Sequence, residues 1–321
     1  MSGEQSPPLF SFHDCGHVDI SFAHAFLTGM KQAAKAIPCR FLYDERGSQL
    51  FEDICDQPEY YPTRTETAIL RANAADIAKR AGPGAVLIEL GSGSSTKTPL
   101  LLDAFEALAA YVPIDISGDY LRGVALEVAR SRPDLRVAAI AADYSRAFDL
   151  PDIEGRRVGF FPGSTVGNLT PTAAIALLRD WRARLGKGGL MIVGADMKKD
   201  VKVLEAAYND AAGVSEQFIR NIFDRANREL GGNFDQTRFA YEAHYNSTLG
   251  RIEMHLRSLA AQSVTVEGET IAFAEGELIH VENSHKYDLD EFRALAREAG
   301  YEPVTAYTDE AELFSVHVLQ A

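Results

Sequence analysis

From residue 85 the chain alternates short apolar runs with amphipathic stretches. AVLIEL (85–90), AYVPIDI (110–116), RVAAIAA (136–142), RRVGFFPG (156–163) and GLMIVGAD (189–196) are bounded by turn residues, the pattern of strands buried on both faces. Helical spacing fills most of the intervals, as in GDYLRGVALEVARS and TAAIALLRDWRARLG. Strand and helix in alternation predict βαβ units and an α/β fold around a parallel sheet.

The flanks read differently. A helix is predicted from Val18 to about Lys35, QPEYYPTRTE (57–66) reads as a loop, and RTETAILRANAADIAKRAG as a helix ending at Gly82. Beyond Asp196 the segment 198–230 reads as one long helical stretch, and 238–287 as antiparallel strands with STLG (247–250) as a turn. DLDEFRALAREAG is an amphipathic helix, and YEPVTAYTD and LFSVHVLQA are closing strands.

Composition removes several function classes. The net charge of -14 and the lack of basic runs argue against nucleic acid, whose phosphates are bound mainly by clustered Lys and Arg. No apolar run reaches the roughly 20 residues of a membrane helix, and the first residues lack the layout of a signal peptide. A cytoplasmic protein with no membrane partner is the expectation. Cys15, Cys39 and Cys55 are widely spaced, so reduced thiols are expected rather than a disulfide framework or zinc ribbon. HDCGH places His13, Cys15 and His17 close together, but without a fourth ligand it reads as a polar approach to the first helix, and no metal is expected.

The first strand runs into IELGSGSSTKT (88–98). Gly91 and Gly93 match the start of G-x-G-x-x-G, yet Thr96 replaces the third glycine and also breaks the phosphate-loop pattern that Lys97 and Thr98 imitate. A diphosphate is therefore not called for, which disfavours an NAD-dependent oxidoreductase. Glu89 precedes the turn, Asp115 ends the next strand, and Asp143 ends the following one beside Tyr144. Acids and an aromatic at successive strand ends suit a ribose diol and a base, an adenosyl ligand without diphosphate. S-adenosylmethionine has that shape.

Five blocks in order, PEYYPTRTE, ELGSGSSTKT, PGSTVGNLTP, AAYNDAAGVSEQF and RIEMHLRS, make the chain resemble the histidine-specific Nα-methyltransferases of ergothioneine biosynthesis from about Phe41 to its end. The resemblance implies a Rossmann-like class I methyltransferase with a seven-stranded, mostly parallel sheet and an inserted α+β substrate domain. Residues 63–196 and 287–321 would form the cofactor domain, and 1–62 and 197–286 the substrate-capping domain. Gly91, Lys97, Asp115, Asp143 and Tyr144 would contact S-adenosylmethionine; Asn168 would hold the substrate amine, Tyr60 and Tyr208 the carboxylate, and Glu282 and Ser284 the imidazole. Tyr43 falls where the family has a further pocket tyrosine and is, with Asn168, a candidate catalytic residue, and Met254 would be a packing wall. Two departures touch the pocket edge: His285 follows the serine, and Tyr144 stands where phenylalanine is common.

The implied reaction is threefold methylation of the α-amine of L-histidine by a monomeric enzyme. A sulfonium methyl is already activated, so the protein supplies proximity and alignment rather than a nucleophile. An Asn carbonyl suits an amine N–H, phenols suit a carboxylate, and a Glu with a Ser suits a ring with two nitrogens. Bland readings accompany these: Asn168 before LTP could cap the next helix, and Glu282 with Ser284 could be a solvated strand face. Two rival functions also stand, the same scaffold acting on another small amine or aromatic amino acid, and a non-catalytic adenosyl-binding protein.

Overall fold

The structure is a computed structural model that describes residues 9–16, 21–93 and 97–321. His17 and Thr96, singled out above, lie outside the described residues. In chain order the elements are β1 (Phe10–Asp14), α1 (Phe22–Met30), β2 (Lys35–Ala36), α2 (Glu45–Cys55), α3 (Tyr61–Ala81), β3 (Val86–Leu90), α4 (Thr98–Ala104), β4 (Ala110–Asp115) and α5 (Gly118–Ser131). Then follow β5 (Val137–Ala141), β6 (Arg157–Phe161), α6 (Pro171–Leu185), β7 (Leu190–Asp196), α7 (Val201–Ala206), α8 (Val214–Leu230), β8 (Phe239–Asn246) and β9 (Arg251–Ser258). The last are β10 (Gln262–Val266), β11 (Glu269–Phe273), β12 (Leu278–His285), α9 (Leu289–Glu298), β13 (Glu302–Thr308) and β14 (Phe314–Gln320).

The chain divides into two compact units. The first comprises Met1–His17, Pro62–Met197 and Tyr287–Ala321. Its eight-stranded sheet has the order β1-β5-β4-β3-β6-β7-β14-β13, parallel from β1 to β7 and antiparallel at β14 and β13. Because side chains alternate across a strand, Val86, Ile88 and Leu90 enter one core with Leu178 and Trp181 of α6 and Phe292 of α9. Leu87 enters the other with Leu70 and Ile77 of α3 and Leu101 of α4. The apolar runs are continuous because both faces are covered. β4 and β6 flank β3 on opposite sides, so the chain reverses direction across the sheet at β3. Such a reversal leaves a crevice at the carboxyl ends of the strands, where α/β sheets bind ligands.

The sheet has eight strands rather than the expected seven because Phe10–Asp14 pairs in parallel with β5. Residues 10–14, assigned from the resemblance to the substrate domain, thus join the large sheet. Phe12 anchors them, lying under the Arg122 guanidinium at 4.2 Å and covering an otherwise open edge.

The second unit comprises Val18–Tyr61 and Lys198–Lys286. It holds a four-stranded sheet, β2-β12-β9-β8, and the hairpin β10-β11. Its aromatic core stacks Phe223 on Phe234, ring centroids 4.2 Å apart, with Phe239 and Phe26 around them. The expected long helix over 198–230 is two helices. Asp210 accepts the backbone N–H groups of Val214 and Ser215 at 2.7 and 2.8 Å and starts α8 afresh, and Gly213 takes φ 69° before it. Helix α1 is also shorter than expected: Ser21 caps its start, and the chain turns at Lys31 toward β2. Tyr61 and Pro62, read as loop, begin α3; proline is suited to a first turn, where its missing N–H costs nothing. Among the described residues no helix is long and apolar enough to cross a membrane.

Candidate active site

In the first unit the end of β3 turns sharply. Gly91 and Ser92 both donate to the Ile114 carbonyl, at 2.9 and 3.0 Å, and Gly91 adopts φ 70°, a region that favours glycine. Gly93 N–H donates to Asp115 Oδ2 at 3.0 Å, and Ser117 N–H to Oδ1 at 2.8 Å. Burial holds the Asp115 carboxyl above its usual range even so, with those N–H groups pulling it back. A Cβ on Gly91 would meet Tyr144 Cε1 at 3.5 Å, so the turn and the aromatic face one another with little between them.

Glu89 has a different role from the one its position suggested. It is fully buried and accepts from Thr98 Oγ1 at 2.6 Å and from the Tyr111 hydroxyl. The acid therefore braces the glycine turn from inside the sheet instead of facing a ligand.

Asp143 follows β5. Its Oδ1 accepts from the Ser145 N–H at 2.9 Å, while Oδ2 is buried without a hydrogen-bond partner among the described residues and lies 3.6 Å from Arg146 Nε. Tyr144 beside it packs edge-on to Phe161 at 5.5 Å, and its carbonyl accepts from Trp181 Nε1 at 3.0 Å. An acceptor oxygen, a fixed aromatic ring and the bare backbone of Gly91 and Gly93 fit an adenosyl group, whose amine donates and whose base stacks.

Lys97 is buried and gives its ammonium to Glu66 Oε2 at 2.5 Å. The same oxygen accepts the Gly163 N–H at 2.8 Å. Glu66 thus links the glycine turn to the loop after β6, the loop that carries Asn168. Its other oxygen lies where a side chain on Gly194 would be: a Cβ there would come within 2.0 Å of it. Gly194→Ala is therefore expected to cost about 1–3 kcal/mol by overpacking, since the carboxylate is held in place by Lys97 and the Gly163 N–H. Thermal unfolding would show it as a lowered midpoint.

Asn168 is half-buried and closes a short 3-10 turn, Thr165–Asn168. Ser164 precedes that turn at φ 56°, strained for a residue with a side chain, and its hydroxyl accepts the Asp196 N–H at 2.9 Å. The cap of α6 is Thr170, which accepts from Ala173 N–H at 3.3 Å. The capping role offered for Asn168 is thus already filled.

In the second unit the strand geometry decides which side chains meet. On β9 the residues Ile252, Met254 and Leu256 are buried and their neighbours are not. On β12 the register with β9 slips by one residue between His280 and Glu282. After this bulge Glu282 lies opposite Met254 and Ser284 opposite Ile252, which puts both on the buried face. Without the bulge they would point the other way.

Burial pushes the Glu282 carboxyl up to about 8, with the nearby Lys286 ammonium drawing it partly down. Ser284 Oγ lies 2.7 Å from Tyr208 Oη, and Tyr60 meets the Tyr208 ring edge-on at 6.0 Å. Tyr43 packs against Phe51 at 5.6 Å and Phe218 at 5.3 Å. The Cys39 thiol is pushed up to about 12, mainly by burial and then by Glu282, so it is no nucleophile at neutral pH.

The first unit thus holds Gly91, Lys97, Asp115, Asp143, Tyr144 and Asn168, and the second holds Tyr43, Tyr60, Tyr208, Met254, Glu282 and Ser284. Lys97 faces Glu66 in this structure, and Glu66 and Lys286 were both missed by the sequence reading. Lys286 continues the period of two from Glu282 and Ser284, a signal that could have found it. Glu66 had none beyond its place in PTRTE. Among the described residues no group of His, Cys, Asp or Glu is arranged to hold a metal ion.

Comparison with known proteins bears on the family of the chain. Residues 22–321 match the family described as "Histidine-specific methyltransferase, SAM-dependent". The "Histidine N-alpha-methyltransferase" of Mycolicibacterium smegmatis is 39% identical over 293 residues, covering 90% of this chain and 91% of that protein. Its namesake in Mycobacterium tuberculosis is 36% identical over 308 residues, 94% of this chain and 95% of the other. "Ergothioneine biosynthesis protein 1" of Neurospora crassa is 30% identical over 299 residues, 90% of this chain and 33% of that longer protein. With a match across nearly its whole length, the chain belongs to the histidine-specific, S-adenosylmethionine-dependent methyltransferases.

Proposed function

We propose that the chain transfers three methyl groups in succession from S-adenosylmethionine to the α-amine of free L-histidine, forming hercynine as the first step of ergothioneine biosynthesis. In this reading it acts as a cytoplasmic monomer. The observation that carries the proposal is the buried polar face on β12, which holds Glu282 and Ser284, the latter bonded to the Tyr208 hydroxyl. An imidazole has two ring nitrogens, one for each of these side chains. The names of the mycobacterial relatives support the α-amine as the site of transfer.

S-adenosylmethionine, when bound, supplies a methyl group already activated on a sulfonium. Gly91, Lys97, Asp115, Asp143 and Tyr144 serve that ligand in this proposal. Asn168 accepts an N–H of the substrate amine and aims its lone pair, without the added charge of a carboxylate. Each transfer replaces one N–H by N–CH₃ and releases a proton. Tyr60 and Tyr208 donate phenolic hydrogens to the carboxylate, Glu282 and Ser284 hold the ring, Met254 walls the pocket, and Tyr43 stands with Asn168 as a catalytic candidate. A panel of amino acids read out by S-adenosylhomocysteine formation tests the choice of substrate. Histidine is expected to turn over fastest, and faster turnover of tryptophan or tyrosine would reject it.

The Glu282 carboxyl also makes folding depend on pH. Its folded value of about 8 exceeds the ordinary 4.5, so the folded chain keeps a proton that the unfolded chain releases. This contribution is complete below about 4.5 and is lost as pH rises through about 8. In ligand-free protein, denaturant titrations should show stability falling over that window, and Glu282→Gln should remove that part of the fall. An unchanged slope in the variant would show that Glu282 is ionised in the folded chain.

A further inference from the structure

Lys286 has no role in the proposal above, yet its side chain is only 2% exposed. Its Nζ lies 2.8 Å from Ser284 Oγ and 2.8 Å from Tyr208 Oη, and those two oxygens are 2.7 Å apart. The ammonium also stands 4.7 Å from the centre of the Tyr208 ring. An ammonium buried this deeply is costly unless it is well paired, and a Met or Leu would fill the same space without that cost.

The triangle restricts which way hydrogens can point. An ammonium only donates, so both oxygens accept from Lys286. Only one hydrogen fits on the line between the two oxygens. One hydroxyl therefore keeps its hydrogen inside the triangle and the other is turned outward. A carboxylate can only accept, so if Tyr208 serves the carboxylate its hydrogen is the outward one. The Ser284 hydrogen then points to Tyr208, and the second Ser284 lone pair remains for the ring. The adjacent positive charge sharpens this choice, because a phenol that accepts from an ammonium is a stronger donor than the phenol alone.

We propose that Lys286 is a positioning residue that sets the direction of this hydrogen-bond chain, holding Ser284 as acceptor toward an imidazole N–H and Tyr208 as donor toward the carboxylate. The inference rests on the reading that these hydroxyls serve the two ends of histidine. It adds that one buried cation couples the two ends, so that substrate is read as a whole.

Lys286→Met, Ser284→Ala and the double variant test this by steady-state kinetics with histidine and S-adenosylmethionine varied in turn. Lys286→Met is expected to raise the histidine KM about tenfold or more, the range of a lost charge-assisted hydrogen bond. The affinity for S-adenosylmethionine should stay within about twofold. In the double variant the two losses should overlap instead of multiplying, which a merely structural role would not produce. Lys286→Gln, which keeps polar donors but not the charge, gives the same readout should the methionine variant fail to fold. An unchanged histidine KM, or strictly multiplicative effects, overturns the inference. A wild-type protein that does not methylate histidine would instead reject the functional reading itself.

Discussion

Replacing Glu282 by glutamine is expected to lower kcat/KM for histidine about 10²-fold while S-adenosylmethionine binding stays within about twofold. The bulge at β12 turns residue 282 onto the buried face opposite Met254. There the carboxyl is pushed up to about 8 by burial, so in the ligand-free protein it is mostly protonated near neutral pH. An arriving imidazole can take that proton and leave a carboxylate facing a ring N–H. Glutamine copies the shape of the neutral acid but cannot give up a proton, and one of its two faces offers N–H to N–H. Steady-state kinetics with calorimetric titration of the methyl donor would separate the two effects. Equal loss for both ligands would mean that the variant had damaged the fold.

Trp181→Ala is expected to cost about 3–5 kcal/mol of stability, the usual range for emptying a large aromatic site in a core. Trp181 is fully buried among β3, β7 and α9 residues, and its indole N–H holds the Tyr144 carbonyl at 3.0 Å. The cavity and the orphaned carbonyl fall together beside the proposed cofactor residues, so weaker S-adenosylmethionine binding should accompany the loss. Trp181→Phe keeps most of the volume and should recover more than half of the stability, leaving the binding defect. Denaturation followed by circular dichroism is the measurement, because the chain contains one tryptophan and its emission disappears with the substitution.

The central sheet was legible because its strands are covered on both faces, which leaves unbroken apolar runs such as AVLIEL and GLMIVGAD. The edge strand Phe10–Asp14 was not, since FSFHD is short, mixed in polarity and separated by over a hundred residues from its partner β5. The break in the 198–230 stretch was written in YNDAAG, where Asp210 caps a new helix, but the apolar period on either side masked it. Among the candidate residues, the sequence order of strand ends placed Gly91, Asp115, Asp143 and Tyr144 correctly on consecutive elements. It misread Glu89, because nothing local reveals that Thr98 and Tyr111 donate to it inside the sheet. Glu282 and Ser284 came from the resemblance. That they share a buried face depends on one inserted residue, Val281, whose effect on register is a property of strand pairing and not of composition.

The claim on which the rest depends is that histidine is methylated three times on its α-nitrogen. Mass spectrometry of histidine incubated with the protein and S-adenosylmethionine tests it most directly. The expected result is successive products carrying one, two and three added methyl groups, the last losing trimethylamine on fragmentation because all three sit on one aliphatic nitrogen. Unmodified histidine, or a methylated product whose fragments keep the label on the imidazole ring, would contradict it.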